Sequence, residues 1–131
     1  MEDQKFPKSV RLRNSAQFAR VYNANIYAAD DCLVMQGARN DVRQNVNDCT
    51  TRIGLSVSRK VGNAIVRNKW KRLIREAFRM RKCEFPQGVD LVVRPRKGAE
   101  PEFHVIKNSL MELAERIVRK IRKLESTTPK S

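Results

Sequence analysis

The sequence predicts an α+β fold, a small sheet with helices packed on it in the order αβββαβα. Two helical stripes and one alternating run lead to it. Trp70, Leu73, Ile74, Ala77 and Phe78 follow the i, i+3, i+4, i+7, i+8 spacing of one buried helix face. Ile106, Leu110, Leu113, Ile117, Ile121 and Leu124 repeat that pattern near the C-terminus. Between Arg52 and Arg59 the pattern changes to period two: Ile53, Leu55 and Val57 face one way, and Arg52, Gly54, Ser56 and Ser58 the other. Short strands between amphipathic helices give a two-layer sandwich around one core.

Residues 1–13 read as a basic, partly extended lead-in. Asn14 or Ser15 can cap a short helix that runs to about Ala24, with Phe18, Val21 and Tyr22 on one side. Ile26 to Ala29 and Cys32 to Gly37 read as strands. Arg39 to Thr51 is polar and aperiodic and reads as a surface loop to which no function is assigned. The loop from Lys60 to Ala64 leads into the basic helix, which fades near Arg81 to Glu84. Pro86-Gln87-Gly88 is a turn. Val89 to Arg94 is a strand ended by Pro95. Pro101 can open the last helix, with Glu102 in its first turn. Ser126 to Ser131 is a polar tail. At 131 residues the chain is expected to form a single domain, 1–131, with 1–8 and 125–131 flexible.

Charge directs the functional reading. The net charge is +14, beyond the magnitude of about 2–8 that serves solubility in a small domain. It concentrates between Arg59 and Arg79, where eight Lys or Arg side chains face one carboxylate, Glu76. A helix with one face in a core and a cationic face outward takes a polyanion as partner. Arg67-Asn68-Lys69 is expected at the N-terminal end of the basic helix, where backbone N–H groups attract phosphate. Lys71, Arg72, Arg75 and Arg79 continue along it. Nucleic acid is favoured over membrane, since no apolar run approaches the roughly 20 residues of a span. The N-terminal residues contain no signal-peptide core, and the expected location is cytoplasmic. No obligate protein partner is expected.

Catalysis by the protein itself finds little support. The one histidine, His104, lacks a nucleophile or an orienting acid beside it and reads as a surface or helix-end residue. Asp30-Asp31 fits a solvated turn. Asp90 could bind a metal, but one carboxylate is weak grounds, and metal sites on the protein remain unknown. Gly54 and Gly62 make no phosphate-binding loop. Cys32, Cys49 and Cys83 lack CxxC spacing and read as small apolar fillers or loop thiols, not as a disulfide framework or a zinc site.

The run from Arg52 to Glu76, RIGLSVSRKVGNAIVRNKWKRLIRE, resembles the signature of the protein subunit of bacterial ribonuclease P. Arg11-Leu12 followed by Phe18 and Val21-Tyr22 is similar to that family, as is Asp90-Leu91-Val92-Val93 followed by Arg94-Pro95. The likeness extends over roughly residues 9 to 124. It implies a ribonucleoprotein that removes the 5′ leader of precursor tRNA. The RNA subunit, with Mg2+, performs the hydrolysis, and the protein carries no catalytic residue and binds no cofactor on its own. It also implies a left-handed βαβ crossover, against the usual hand.

Two surfaces follow from the resemblance. Arg59, Lys60, Arg67, Asn68, Lys69, Lys71, Arg72 and Arg75 would face the catalytic RNA. Arg11, Phe18, Tyr22, Gln36, Ser56 and Ser58 would line a groove for the precursor's leader. On the residues alone, Phe18 and Tyr22 suit core packing as well as base stacking; the resemblance favours the groove and leaves Val21 to the core. There are departures from the family's pattern. Lys69 stands where the family has arginine, which loses a bidentate fork. Arg59 stands for a common lysine, Gln36 for a frequent aromatic, and Trp70, read as core, for a smaller aliphatic. Two other readings fit the composition: a ribosomal or general RNA-binding protein, which the long central motif disfavours, and a protein-only nuclease, which lacks a carboxylate or histidine cluster.

With so much like charge to contain, folding should be anion-linked. Sulfate or phosphate should raise the thermal midpoint. A midpoint equal in chloride and sulfate at matched ionic strength would count against this.

Overall fold

The computed structural model describes residues 11, 12, 14–40 and 50–127. The expected extended lead-in lies almost wholly outside them, as do most of the 39–51 loop and the last four residues. The first helix, α1 (Ser15–Ala24), starts where the sequence places it. Asn14 Oδ1 accepts from the Gln17 N–H at 2.9 Å, and Gln17 Oε1 accepts from the Asn14 N–H at 3.3 Å, a complete capping box. Asn25, in the left-handed region at φ 57°, ends it.

Strands β1 (Tyr27–Ala29), β2 (Leu33–Arg39), β3 (Arg52–Leu55) and β4 (Val89–Pro95) form one mixed sheet in the order β1-β2-β4-β3. β1 with β2 and β2 with β4 are antiparallel. β3 lies parallel to β4, Arg52 opposite Asp90 and Leu55 opposite Val93. The link between these parallel strands is α2 (Ala64–Arg81). The last helix, α3 (Phe103–Thr127), packs on α2 and on the sheet.

Strand alternation divides the core. Leu33, Met35, Ile53, Leu91 and Val93 face α2 and α3 and join Trp70, Ile74, Phe78, Leu110, Leu113 and Ile117 in the main cluster. Val92 and Ala38 face the other way, under Val21 of α1 and Leu12. The principal layers are therefore the sheet and the α2–α3 pair, with α1 lying across part of the second face. At Gly37 the sheet and α3 are in close contact, since an added Cβ would stand 2.5 Å from Ile117 Cγ2. Trp70 is fully buried, as its place in the stripe requires.

Several boundaries differ from the sequence reading. The alternating run reaches Arg59, but β3 ends at Leu55. One further bond, from Ser56 N–H to Val93 O, closes its pairing, and the chain then leaves the sheet edge into a 3-10 turn, Arg59–Val61. β2 continues to Arg39 because β4 pairs with it that far. Helix α3 begins after Glu102, whose carboxylate accepts the Val105 N–H at 3.0 Å. It continues through 125–127 of the expected tail, and its buried stripe stops at Ile121, with Leu124 54% exposed. Cys83 is disulfide-bonded, contrary to the thiol expected from spacing, whereas Cys32 is a free buried thiol. Burial and the nearby Asp30 charge push the Cys32 thiol up to about 11.

Asp30 and Asp90 do more than a solvated turn or a lone metal ligand would. Asp30 Oδ1 accepts the Cys32 and Leu33 N–H groups and Oδ2 accepts the Ser109 hydroxyl, which ties the β1–β2 turn to α3. Burial raises its pKa, but these bonds outweigh burial and hold it below the ordinary value. Asp90 is fully buried and accepts from Arg52 Nε and Nη2 at 2.8 Å each, Arg20 Nη2 at 2.7 Å and Asn40 Nδ2 at 2.9 Å. The carboxylate is thus committed to two guanidinium groups and an amide. Asp90→Ala should cost about 3–5 kcal/mol, because both arginines lose their counter-charge. Arg20→Ala should cost much less, its side chain being 42% exposed. Urea midpoints measure both; an Asp90→Ala midpoint at the wild-type value would refute the assignment.

Candidate nucleic-acid interface

Helix α2 separates its two faces cleanly. Trp70, Leu73, Ile74, Ala77 and Phe78 are buried, while Asn68, Lys69, Arg72 and Arg75 are exposed and Arg67 and Lys71 half-buried. The helix is capped by Asn63, whose Oδ1 accepts from the Val66 N–H at 3.0 Å. The first-turn N–H groups therefore belong to Ala64, Ile65 and Val66. Arg67-Asn68-Lys69 sits one turn further in than the sequence places it, and its contribution is side-chain charge. Arg67 also bonds backward, Nε to Gly62 O at 3.2 Å. Gly62 is where turn and helix close together, since a Cβ there would lie 2.9 Å from Val66. Arg59 and Lys60, in the 3-10 turn before it, are exposed.

The groove residues come from four elements. Arg11 bridges Ile53 at the outer edge of β3, and the Leu12 N–H donates to Ile53 O at 3.0 Å. Phe18 and Tyr22 lie side by side on α1, ring centroids 6.4 Å apart. Phe18 is half-buried directly over Gly54, where an added Cβ would stand 2.6 Å from its Cζ. Tyr22 is 40% exposed. Gln36 shares a cross-strand row with Val92 and Gly54. Ser56 is half-buried and Ser58 exposed, past the end of β3.

The structure brings the two expected surfaces together. Arg11 and Phe18 border one small cavity of about 160 Å³ with Lys71 and Arg75. Ser56 and Ser58 border an open groove of about 550 Å³ with Lys60, Arg94, Arg96 and Lys97. No carboxylate lines either space. Asp90, the acid nearest in the sheet, is already neutralised by Arg20 and Arg52. Both spaces are thus cationic, with the Phe18 ring at the α1 side of the smaller one and Tyr22 and Gln36 bordering neither. Such a combination suits a phosphate backbone with unpaired bases. Among the described residues, no three His, Cys, Asp or Glu side chains come together as a metal site, and His104 is exposed at the start of α3.

The Ribonuclease P family model matches residues 6–118. The chain belongs to the ribonuclease P protein family. The ribonuclease P protein component of Petrotoga mobilis is 38% identical over 126 residues, 96% of this chain and 100% of that one. That of Thermoanaerobacter sp. strain X514 is 36% identical over 107 residues, 81% of this chain and 87% of that one. Among solved structures, the RNase P protein of Staphylococcus aureus matches with a TM-score of 0.67 and 33% identity, over 83% of this chain and 95% of that one. The RNase P protein of Thermotoga maritima matches at 0.66 and 31%, over 81% and 96%. The α+β fold expected from the sequence is the fold of these ribonuclease P proteins.

Arg94, Arg96 and Lys97 received no role from the sequence, although Arg94-Pro95 was part of the family resemblance. Their signal was present: Arg94 alternates with Val92 onto the α1 face, beside Ser56. In the sequence Gly54 stands out only as one member of the polar face of the alternating run. It fixes the depth at which Phe18 sits in this ribonuclease P protein. Gly54→Ala should destabilise by about 1–3 kcal/mol through overpacking. Added to Phe18→Ala, it should cost clearly less than the sum of the two changes, because the clashing ring is gone. Additive urea-denaturation energies in that double-mutant cycle would show that the two do not touch.

Proposed function

We propose that this chain is the protein component of a ribonuclease P ribonucleoprotein, binding both the catalytic RNA and the 5′ leader of precursor tRNA. Family membership carries the coarse part, tRNA 5′ processing. The finer reading rests on one observation: the cations of α2 meet the aromatic groove at Arg11, Phe18, Lys71 and Arg75, with no acid between them. In this reading Arg59, Lys60, Arg67, Asn68, Lys69, Arg72 and Arg75 hold phosphates of the catalytic RNA. The leader passes over Phe18, Tyr22 and Gln36 toward Ser56 and Ser58. One bound RNA edge then positions the other, so the protein acts by orientation. In this reading Mg2+ enters through the RNA. None of the described helices is long and apolar enough to cross a membrane, and the proposed location is the cytoplasm.

The test is cleavage of precursor tRNA by the chain, by catalytic RNA, and by both. The chain alone should be inert and should stimulate the RNA. Phe18→Ala should weaken binding of leader-bearing precursor by about 1–3 kcal/mol and spare mature tRNA. Arg72→Ala and Arg75→Ala should weaken assembly and flatten its salt dependence by up to about one unit per contact. Cleavage without RNA, or equal losses for both tRNAs, would overturn the proposal.

A further inference from the structure

A second aromatic and cationic groove lies at the opposite edge of the sheet. β1 and β3 are the two edge strands, with β2 and β4 between them. They stand about 14 Å apart at the usual strand spacing. Ala28 of β1 is buried in the main core. Alternation therefore turns Tyr27 onto the other face, opposite Gln36 at the sheet edge, and it is 54% exposed. Lys120 of α3 reaches across the edge and donates to Tyr27 O, its Nζ lying 5.9 Å from the Tyr27 ring centroid. Asn25, Ile26, Lys123 and Leu124 complete a groove of about 500 Å³. No carboxylate lines it, and the nearest acid on the helix, Glu125, is held by both Nε and Nη2 of Arg39 at 3.0 Å.

Each feature has a use for one kind of ligand. An exposed ring at a strand edge offers a stacking face that any base can take. Two ammonium groups three residues apart on one helix face offer a phosphate clamp. The contact of Lys120 with the strand carbonyl fixes its charge beside the ring. The Asn25 amide supplies a donor and an acceptor at the groove wall. A paired duplex cannot present a free base face here, whereas an unpaired strand can.

We propose that this groove is a second site for unpaired RNA, with a base stacked on Tyr27 and its phosphate between Lys120 and Lys123. The proposal rests on the reading of the chain as an RNA-binding component and extends it to a face away from α2. The chain has only two tyrosines, Tyr22 and Tyr27, so 3-fluorotyrosine labelling of the full chain gives one signal for each, with Tyr22→Phe assigning them; because Tyr27 stands opposite Gln36, the response to Lys123→Gln is what separates this site from the leader groove. A ten-nucleotide unpaired RNA should shift the Tyr27 signal saturably, and a blunt-ended duplex of equal charge should not. Lys123→Gln should weaken the Tyr27 midpoint by about threefold and leave the Tyr22 midpoint unchanged. Leader-bearing precursor, mature tRNA and catalytic RNA, titrated separately, identify the source; a shift from any one that Lys123→Gln weakens supports the site. If Tyr22 responds and Tyr27 does not, this proposal falls and the broader one stands. If neither responds to any RNA, the broader reading falls with it. A Tyr27 shift equal for duplex and unpaired RNA, or indifferent to Lys123→Gln, also overturns the site.

Discussion

The fully buried carboxylate of Asp90 is the point at which this basic chain becomes compact. It lies on β4, the strand that pairs with both β2 and β3. Arg52 reaches it from β3, Arg20 from α1, and Asn40 from just beyond β2. A charge so buried is tolerable only when its oxygens are fully bonded, and here the partners come from every element around it. Their directions set the register of the parallel pair and hold α1 across the sheet. They also withdraw two arginines from the repulsion that a net charge of +14 creates. The remaining cations can then crowd onto α2 and the ends of the strands.

The sheet edges show the same division of labour. Beside β3, the Arg11–Leu12 segment occupies the outer edge through its bond to Ile53. Beside β1, Arg116 Nη1 donates to Ala29 O at 3.2 Å and Lys120 to Tyr27 O, so α3 covers the outward carbonyls with cations. Covered and charged edges resist pairing with another chain. A protein with exposed aromatic rings and a small core has particular need of that. Cationic side chains therefore serve the fold at its rim as well as giving α2 its charged outer face.

The helices were legible because each writes its buried face into local spacing. The Trp70–Phe78 stripe is buried throughout, and Asn14 caps α1 as its type and place imply. What was not legible depends on partners distant in sequence. The alternation through Val57 and Ser58 is real, yet β3 stops at Leu55 because the chain must turn into α2. Asp90 looked like a lone acid because Arg20 and Arg52 are 70 and 38 residues away. The meeting of Arg11 and Phe18 with Lys71 and Arg75 is likewise a product of topology: side chains from α1, α2 and the Arg11–Leu12 segment converge at β3.

Phe18 shows how one residue can satisfy two readings that seem exclusive in sequence. Its inner edge packs with Leu12, Val21, Ala38 and Val92, which is a core role. Its remaining surface stays open beside Tyr22 and the cations of α2, which is what stacking needs. Gly54 makes the compromise possible. A residue with a Cβ at that point would lift the ring off the sheet, and a recess deeper than Gly54 would bury it. The core thus supplies the rigidity that an exposed ring lacks alone, and a ring held in place stacks on a base at little entropic cost. Tyr22, one turn on and without such a seat, is the more open of the pair. The groove grades from fixed to free along α1, with the fixed end against the strongly cationic α2.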